Sequence, residues 1–305
     1  MDNKTYDVII AGGGPAGYTA AMYAARSGYT VAVVEQMSAG GQMATTETVE
    51  NYPGFDDGID GFELGERMQR GAERFGAVTV YAEIKSLNLK ASPKTVETTT
   101  AGMLNAKAVV IATGAKPRLL GVEGERELTG KGVAYCAVCD GMRYKGKVAV
   151  VAGGGNSAAA DALYLSKICE KVYLVHRRDR LRASKVYTDA LKNCGVEFLF
   201  DSRVVALEGD GALGGVVTEN VKTGARTKIP CAALFVAVGR QPQTELVRGQ
   251  LALDENGYIL ADETTKTSVD GVFAVGDVRT KPLRQIVTAA ADGATCSHFI
   301  EEYLG

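Results

Sequence analysis

The sequence predicts an α/β fold built from two three-layer domains, the second inserted into the first. Three observations carry that prediction. One unit (a β-branched run, a glycine-rich turn, a helical stretch and a second run) occurs twice, beginning its turns at Gly12 and Gly153. A second pair of segments, 109–117 and 234–242, shares a strand that ends at Gly with Pro three residues later. The segment after 246 adds one more apolar run, Val272-Phe273-Ala274-Val275, and a helical stretch from about Gln285, but no glycine turn of its own.

In chain order, the first copy opens with Val8-Ile9-Ile10-Ala11, turns at Gly12-Gly13-Gly14-Pro15-Ala16-Gly17, and continues into a stretch of Ala, Tyr and Met. Its second run, Val31-Ala32-Val33-Val34, ends in Glu35. The second copy repeats this as Ala149-Val150-Val151-Ala152, Gly153-Gly154-Gly155-Asn156-Ser157-Ala158, a helix, and Val172-Tyr173-Leu174-Val175 ending at His176. Each copy reads as a Rossmann-like strand, tight turn and helix N-terminus, which cradles a pyrophosphate with backbone N–H groups and the helix dipole. Gly12, Gly14, Pro15, Ala16 and Gly17 would form one cradle, and Gly153, Gly155, Asn156, Ser157 and Ala158 the other. A single glycine-rich match is weak evidence; two in register, with the next strand at equal distance, are strong.

The residue ending each second strand separates the ligands. Glu35 can accept hydrogen bonds from ribose hydroxyls, as expected for FAD or NAD. The second copy has His176-Arg177-Arg178-Asp179-Arg180-Leu181-Arg182 there, a cation cluster suited to a 2′-phosphate and so to NADP(H). A solvated basic surface or a nucleic-acid patch is the bland alternative. A net charge of −2, from 34 basic and 36 acidic residues, supplies no global field for nucleic acid or anionic lipid.

The repeated strands Val109–Ala112 and Leu234–Ala237 look like the closing strands of the two domains, and each Gly/Pro exit is a linker candidate. The economical layout is one domain of residues 1–115 with 246–305, and an inserted domain of 116–245. A chain of 305 residues, 46% hydrophobic and 23% charged, suits two soluble domains. No apolar run approaches the roughly 18 residues of a membrane span. Met1-Asp2-Asn3-Lys4 runs into a strand without the layout of a signal peptide, so a cytoplasmic protein is expected.

Of six cysteines, Cys169, Cys194, Cys231 and Cys296 are isolated and read as small buried hydrophobes. Cys136 and Cys139 are paired by spacing, on one side of a single turn and close enough to bridge. In a reducing compartment such a pair is a metal half-site or a redox couple. Zinc needs two more ligands, and the chain has two histidines and no second such pair, so no metal is expected. Asp140 beside the pair is either a proton donor and acceptor or an Asp-Gly turn residue.

Taken together, Gly12–Gly17, Gly40-Gly41-Gln42, Val49–Gly54, Ala112-Thr113-Gly114, Cys136–Gly141, Gly153–Ala158, His176–Ala183, Gly276-Asp277 and Arg284-Gln285 resemble the low-molecular-weight, bacterial-type thioredoxin reductases along the whole chain. The resemblance implies FAD on the split domain and NADPH on the inserted one, a homodimer, and thioredoxin as partner. It implies FAD contacts from the first turn and from Glu35, Gln36, Gly41, Gln42 and Asn51. It adds Ala112, Thr113 and Gly114, then Asp277, Arg284, Gln285 and Ile286. For NADPH it implies the second turn with His176, Arg177, Arg178 and Arg182. It also makes Cys139 the thiol facing the flavin, Cys136 the one attacking the partner, and Asp140 the proton group. Because sulfur and nicotinamide would ride on one domain and serve a flavin on the other, rotation is implied about 116–122 and 239–245.

Three places in the chain depart from the family pattern. Ala160 and Asp161 stand where a pair of acids is common, which touches the nicotinamide end. Met142-Arg143 replaces the usual aromatic residues after the dithiol, and Gln243 a common Asn. Rival readings are a reductase of a glutaredoxin-like or peroxiredoxin-linked carrier, an oxygen-using dithiol oxidase, or a non-catalytic NADPH sensor. The arginine cluster argues against the oxidase and the intact dithiol against the sensor.

Overall fold

The computed structural model describes residues 4–305; Met1, Asp2 and Asn3, on which the reading of the N-terminus leaned, lie outside the described residues. The chain forms two compact units, one holding the described residues up to Lys116 together with Gln241–Gly305, the other Pro117–Arg240. In the outer unit β1 (Lys4–Ala11), α1 (Pro15–Arg26) and β2 (Val31–Glu35) are followed by α2 (Gly61–Glu73) and β3 (Val78–Tyr81). An antiparallel arm, β4 (Ile84–Asn88) and β5 (Lys94–Thr98), leads into β6 (Met103–Ile111), and β7 (Ala115–Pro117) is the exit.

The inserted unit begins with β8 (Val133–Ala134), α3 (Ala137–Asp140), β9 (Val148–Gly153), α4 (Asn156–Leu165) and β10 (Lys171–Val175). It continues with α5 (Lys185–Leu191), β11 (Glu197–Leu199), a meander of β12 (Ser202–Glu208), β13 (Gly215–Asn220) and β14 (Arg226–Pro230), then β15 (Ala233–Ala237) and β16 (Arg240–Pro242). Back in the outer unit come β17 (Val272–Ala274) and α6 (Ile286–Leu304). The passages β7 and β16 pair as a two-stranded ribbon. Gln243 is tied to the outer unit: its N donates to Gly114 O at 2.9 Å, and Thr113 Oγ1 donates to its carbonyl oxygen at 2.6 Å.

The outer sheet has the order β3-β2-β1-β6-β5-β4, with β17 beside the C-terminal half of β6. The inserted sheet runs β11-β10-β9-β15-β8. The repeated strands therefore do not close their domains at a sheet edge. β6 and β15 lie inside their sheets, next to the strand that carries the glycine turn, because the outward-wound parallel crossovers leave that place for a returning strand. Being central, these strands read as continuous apolar runs.

Alternate residues sort to the two faces of each sheet. In the outer unit Val8, Ile10, Val33, Val110 and Phe273 pack under α1 and α6, while Ile9, Val34, Val109 and Ile111 pack under the β4–β5 arm and the 247–259 segment. In the inserted unit Val151, Leu174 and Phe235 face the helices, and Val150 and Leu234 pack against Val216 and Ile229 of the β12–β14 meander. Each unit has three layers, and both glycine turns emerge at the carboxyl ends of their central strands, where open α/β sheets bind ligands.

Candidate active site

The outer turn is closed by sterics. Gly12 has φ +111, and a Cβ on it would stand 2.5 Å from the Ala112 carbonyl oxygen; a Cβ on Gly17 would fall on the Gly12 oxygen itself. Side-chain-free backbone lets β1, α1 and Ala112 meet this closely. Gly14 caps α1 in extended conformation and Pro15 takes its first position, so the helix N-terminus opens onto the turn. Glu35 bends back over it: Oε2 accepts from Gly13 N at 2.7 Å, and Oε1 from Gln36 N at 2.8 Å and Met37 N at 3.2 Å.

Other candidate residues of the outer unit are brought to the same end. Gln42 Nε2 donates to Ala115 O. Asn51 Nδ2 donates to Gln285 Oε1 at 3.1 Å, joining two residues 234 apart in sequence. Gln285 caps α6 in a reciprocal box with Thr288, and Ile286 is the first residue of that helix. Gly276 lies against Ala16, to which a Cβ on it would approach within 3.0 Å, so the Gly276-Asp277 turn meets the start of α1. Arg284 stacks on the Tyr258 ring at 4.0 Å and donates to the carbonyls of Asp277, Arg279 and Lys281.

Sequence reasoning missed the support behind this turn. Asp292, 7% exposed, accepts from Gly276 N at 2.8 Å, from Arg279 Nε at 2.9 Å and Nη2 at 2.8 Å, and from Lys281 Nζ at 2.8 Å. Burial pushes the Asp292 carboxyl up, but the hydrogen bonds and charges of Arg279 and Lys281 outweigh it and hold the group below its usual range. An acid inside the apolar run of α6 was the available signal.

In the inserted unit, the place that Glu35 takes against Gly13 is taken by the His176 ring, which lies directly over Gly154. His176 is buried and its Nε2 has no hydrogen-bond partner. Burial first, then Arg182, Arg178 and Arg177, push its pKa down, so the ring is neutral near pH 7. Those three arginines are exposed around it. Arg182 N donates to Gly154 O at 2.7 Å and Asn156 Oδ1 accepts from Ser184 N at 2.8 Å, which folds the basic loop onto the turn.

Cys136 and Cys139 form a disulfide with Cα atoms 5.3 Å apart. Cys136 caps α3, its Sγ accepting from Cys139 N at 3.2 Å. Asp140 is half-buried, and burial raises its carboxyl pKa against the pull of Arg143. The isolated cysteines divide: Cys231 and Cys296 are buried, with burial pushing both thiols up to about 12. Cys169 and Cys194 are only half-buried, contrary to expectation, because they end in turns beside the helices, where their thiols reach the Tyr144 and Leu191 carbonyls. His298 is exposed, 4.0 Å from Glu302. Among the described residues no three His, Cys, Asp or Glu side chains are grouped to hold a metal ion, and no helix is long and apolar enough to cross a membrane.

Two glycine turns and a disulfide in one chain also characterise a known family of oxidoreductases. A family model described as pyridine nucleotide-disulphide oxidoreductase matches residues 6–293. The chain belongs to this family. Within it, the chain is 43% identical over 307 aligned positions to a thioredoxin reductase of Listeria monocytogenes, covering 99% of this chain and 95% of that protein. Among solved structures, the thioredoxin reductase of Streptococcus pyogenes is 44% identical, covers 99% of both chains and superposes with a TM-score of 0.91. That of Lactococcus lactis in its FR conformation is 40% identical and covers 98% of this chain and 99% of its own, yet scores 0.69.

The residues present fit the two dinucleotides that such oxidoreductases use. The outer turn is a cradle that any Cβ at 12 or 17 would fill, and the inserted turn has a buried, unpartnered ring nitrogen amid exposed cations.

Proposed function

We propose that this chain is an NADPH-dependent thioredoxin-disulfide reductase in which FAD sits on the outer unit and NADPH on the inserted one. The observation that carries the reading is the Cys136–Cys139 disulfide standing in the same unit as a glycine turn lined by His176, Arg177, Arg178 and Arg182. FAD, when bound, supplies two-electron exchange between a nicotinamide and a disulfide. Gly12–Gly17, Glu35, Gln42, Asn51, Asp277 and Gln285 would hold it, with Gln36, Gly41, Ala112–Gly114, Arg284 and Ile286 at the rim. The exposed arginines would pair with the 2′-phosphate, a task for which forked guanidinium donors are suited.

Once Cys136 and Cys139 are reduced, the Cys136 thiolate attacks one sulfur of the carrier disulfide and expels the other as thiolate. Cys139 then attacks Cys136 Sγ, releases the carrier dithiol and restores the internal disulfide. Asp140, with its raised pKa, would hold or release the proton of the thiol that leaves the flavin side. Serving both nicotinamide and sulfur from one unit calls for alternation by rotation about β7 and β16. The unequal scores to the two solved relatives, 0.91 and 0.69, support this. A cytoplasmic homodimer is the expected setting.

The test is consumption of NADPH or NADH by the purified yellow protein with oxidised thioredoxin, a glutaredoxin-like protein or a peroxiredoxin-linked carrier. Thioredoxin turnover with NADPH is expected, falling below ~1% in Cys136→Ser because the internal disulfide can no longer form to relay the electron pair. Turnover only with another carrier would reassign the partner, and equal use of NADH would overturn the arginine argument.

A further inference from the structure

The inserted unit is entered at Pro117, and its first passage carries the 116–122 linker before it reaches the dithiol. Glu125 stands in that passage and is 2% exposed. Its Oε1 accepts from Leu120 N at 3.0 Å and its Oε2 from Gly121 N at 2.8 Å, so one carboxylate satisfies two consecutive linker amides. Oε1 also accepts from the Tyr135 hydroxyl at 3.1 Å. Tyr135 follows the edge strand β8 and immediately precedes Cys136. Burial, helped by the Glu125 charge, pushes the Tyr135 phenol up to about 12 and keeps it a protonated donor near neutrality. A neutral amide could not serve all three donors, because glutamine would set its NH2 against one of them. The linker is tied to the second exit as well, since Arg118 N donates to Gly239 O at 3.0 Å.

We propose that Glu125 is a positioning residue for the dithiol: it binds the residue before Cys136 and the first linker into one piece, so that the state of the disulfide is felt at the Leu120 and Gly121 amides. The proposal rests on the reading of Cys136–Cys139 as the redox couple. Reduction breaks the sulfur–sulfur bond and adds two electrons and two protons, leaving two thiols. The sulfurs, no longer bonded, separate, and a shift of Cys136 reaches the Glu125 carboxylate through the neighbouring phenol. From the carboxylate two charge-assisted hydrogen bonds lead on to the linker. Such a chain of hydrogen bonds carries coupling in both directions. Movement of the linker is therefore delivered to the strand end that presents Cys136, and rotation about β7 and β16 would move linker and dithiol together.

The experiment is residue-resolved hydrogen exchange of the FAD-loaded protein, either oxidised or reduced by dithiothreitol, which leaves as its own cyclic disulfide. In wild type the Leu120 and Gly121 amides are expected to exchange about 3-fold or more faster once the disulfide is open. Tyr135→Phe keeps the ring in the apolar cluster with Leu120 and Val133 and leaves both linker hydrogen bonds in place. In that variant the two redox states are expected to exchange alike. A carboxylate that only braced the loop would protect these amides equally in both states of the wild type. A second measurement reads the sulfur: the rate at which iodoacetamide alkylates Cys136 in the reduced protein, once dithiothreitol is removed, in wild type, Tyr135→Phe, Glu125→Gln and the double variant. Each single substitution is expected to raise that rate about 3-fold, and the double variant no further. Wild-type amides indifferent to the disulfide, a difference that survives Tyr135→Phe, or additive effects in the double variant overturn the proposal. If wild type reduces no carrier while its amides follow the disulfide, the functional reading fails and the positioning role stands. If wild type reduces thioredoxin and its amides are indifferent, only the positioning role fails.

Discussion

At the outer turn the Glu35 carboxylate lies over Gly13; at the inserted turn the His176 ring occupies the matching place over Gly154. The two cradles differ again at their last position, where Gly17 faces Ala158. In the outer turn a methyl at 17 would fall on the Gly12 oxygen, whereas the inserted turn has opened to admit Ala158, which is fully buried. A third difference lies behind them: the Gly276-Asp277 turn that meets the outer cradle is held by the buried Asp292–Arg279–Lys281 cluster. The lesson is that one backbone plan can carry different side chains over its turn, while the support behind each turn is free to diverge.

The largest effect should come from removing that support. Asp292→Ala strands two buried cations and is expected to cost about 3–5 kcal/mol in urea unfolding, with loss of flavin. Its pH dependence has a definite sign. Because the Asp292 pKa is depressed, its stabilisation is present above the ordinary carboxylate range and disappears as pH falls below it. Asp161 in the inserted unit runs the other way: its pKa is raised to about 6, so its contribution is complete at low pH and is lost as pH rises through that value.

Next in size is the strand-end charge. Arg177→Ala with Arg178→Ala removes two charge-assisted partners and should lower the NADPH over NADH preference in kcat/KM by ~100-fold, at about 1.4 kcal/mol per factor of ten. An unchanged ratio would mean the basic loop is only a solvated surface. Smaller still is the exchange at the cradle ends. Gly17→Ala should cost about 1–3 kcal/mol and weaken FAD retention, since backbone must give way. Ala158→Gly should cost about 1 kcal/mol or less. Equal costs at the two sites would erase the distinction between the turns. The smallest effect belongs to His176, whose depressed pKa makes its contribution complete above about 6.5 and lost on acidification. Its ring signals should titrate below that value in NMR.

Much of this was readable in the chain. The duplicated turns, the interrupted outer domain and the dithiol are local patterns, and their residue types answer to short-range needs: glycine where strands and helices touch, thiols one turn apart. The interior position of β6 and β15 was not readable, because a run of apolar residues says that a strand is buried and not which neighbours flank it. Nor was the pairing of Asn51 with Gln285, which depends on chain segments 234 residues apart meeting. Arg284 was named for cofactor contact, but in the fold it also holds a loop through three carbonyls.

What the amino-acid order determined by itself was the list of parts: two glycine turns, an acid after one and a basic run after the other, and a sulfur pair ahead of the second. What only the tertiary structure decided was how the polar groups are satisfied. Asp292 and Asp161 look alike as isolated acids in alanine-rich helices. Their opposite pKa shifts arise because one meets two buried cations, while at the other burial outweighs what opposes it, and such encounters are set by packing across distant segments, which no local pattern encodes.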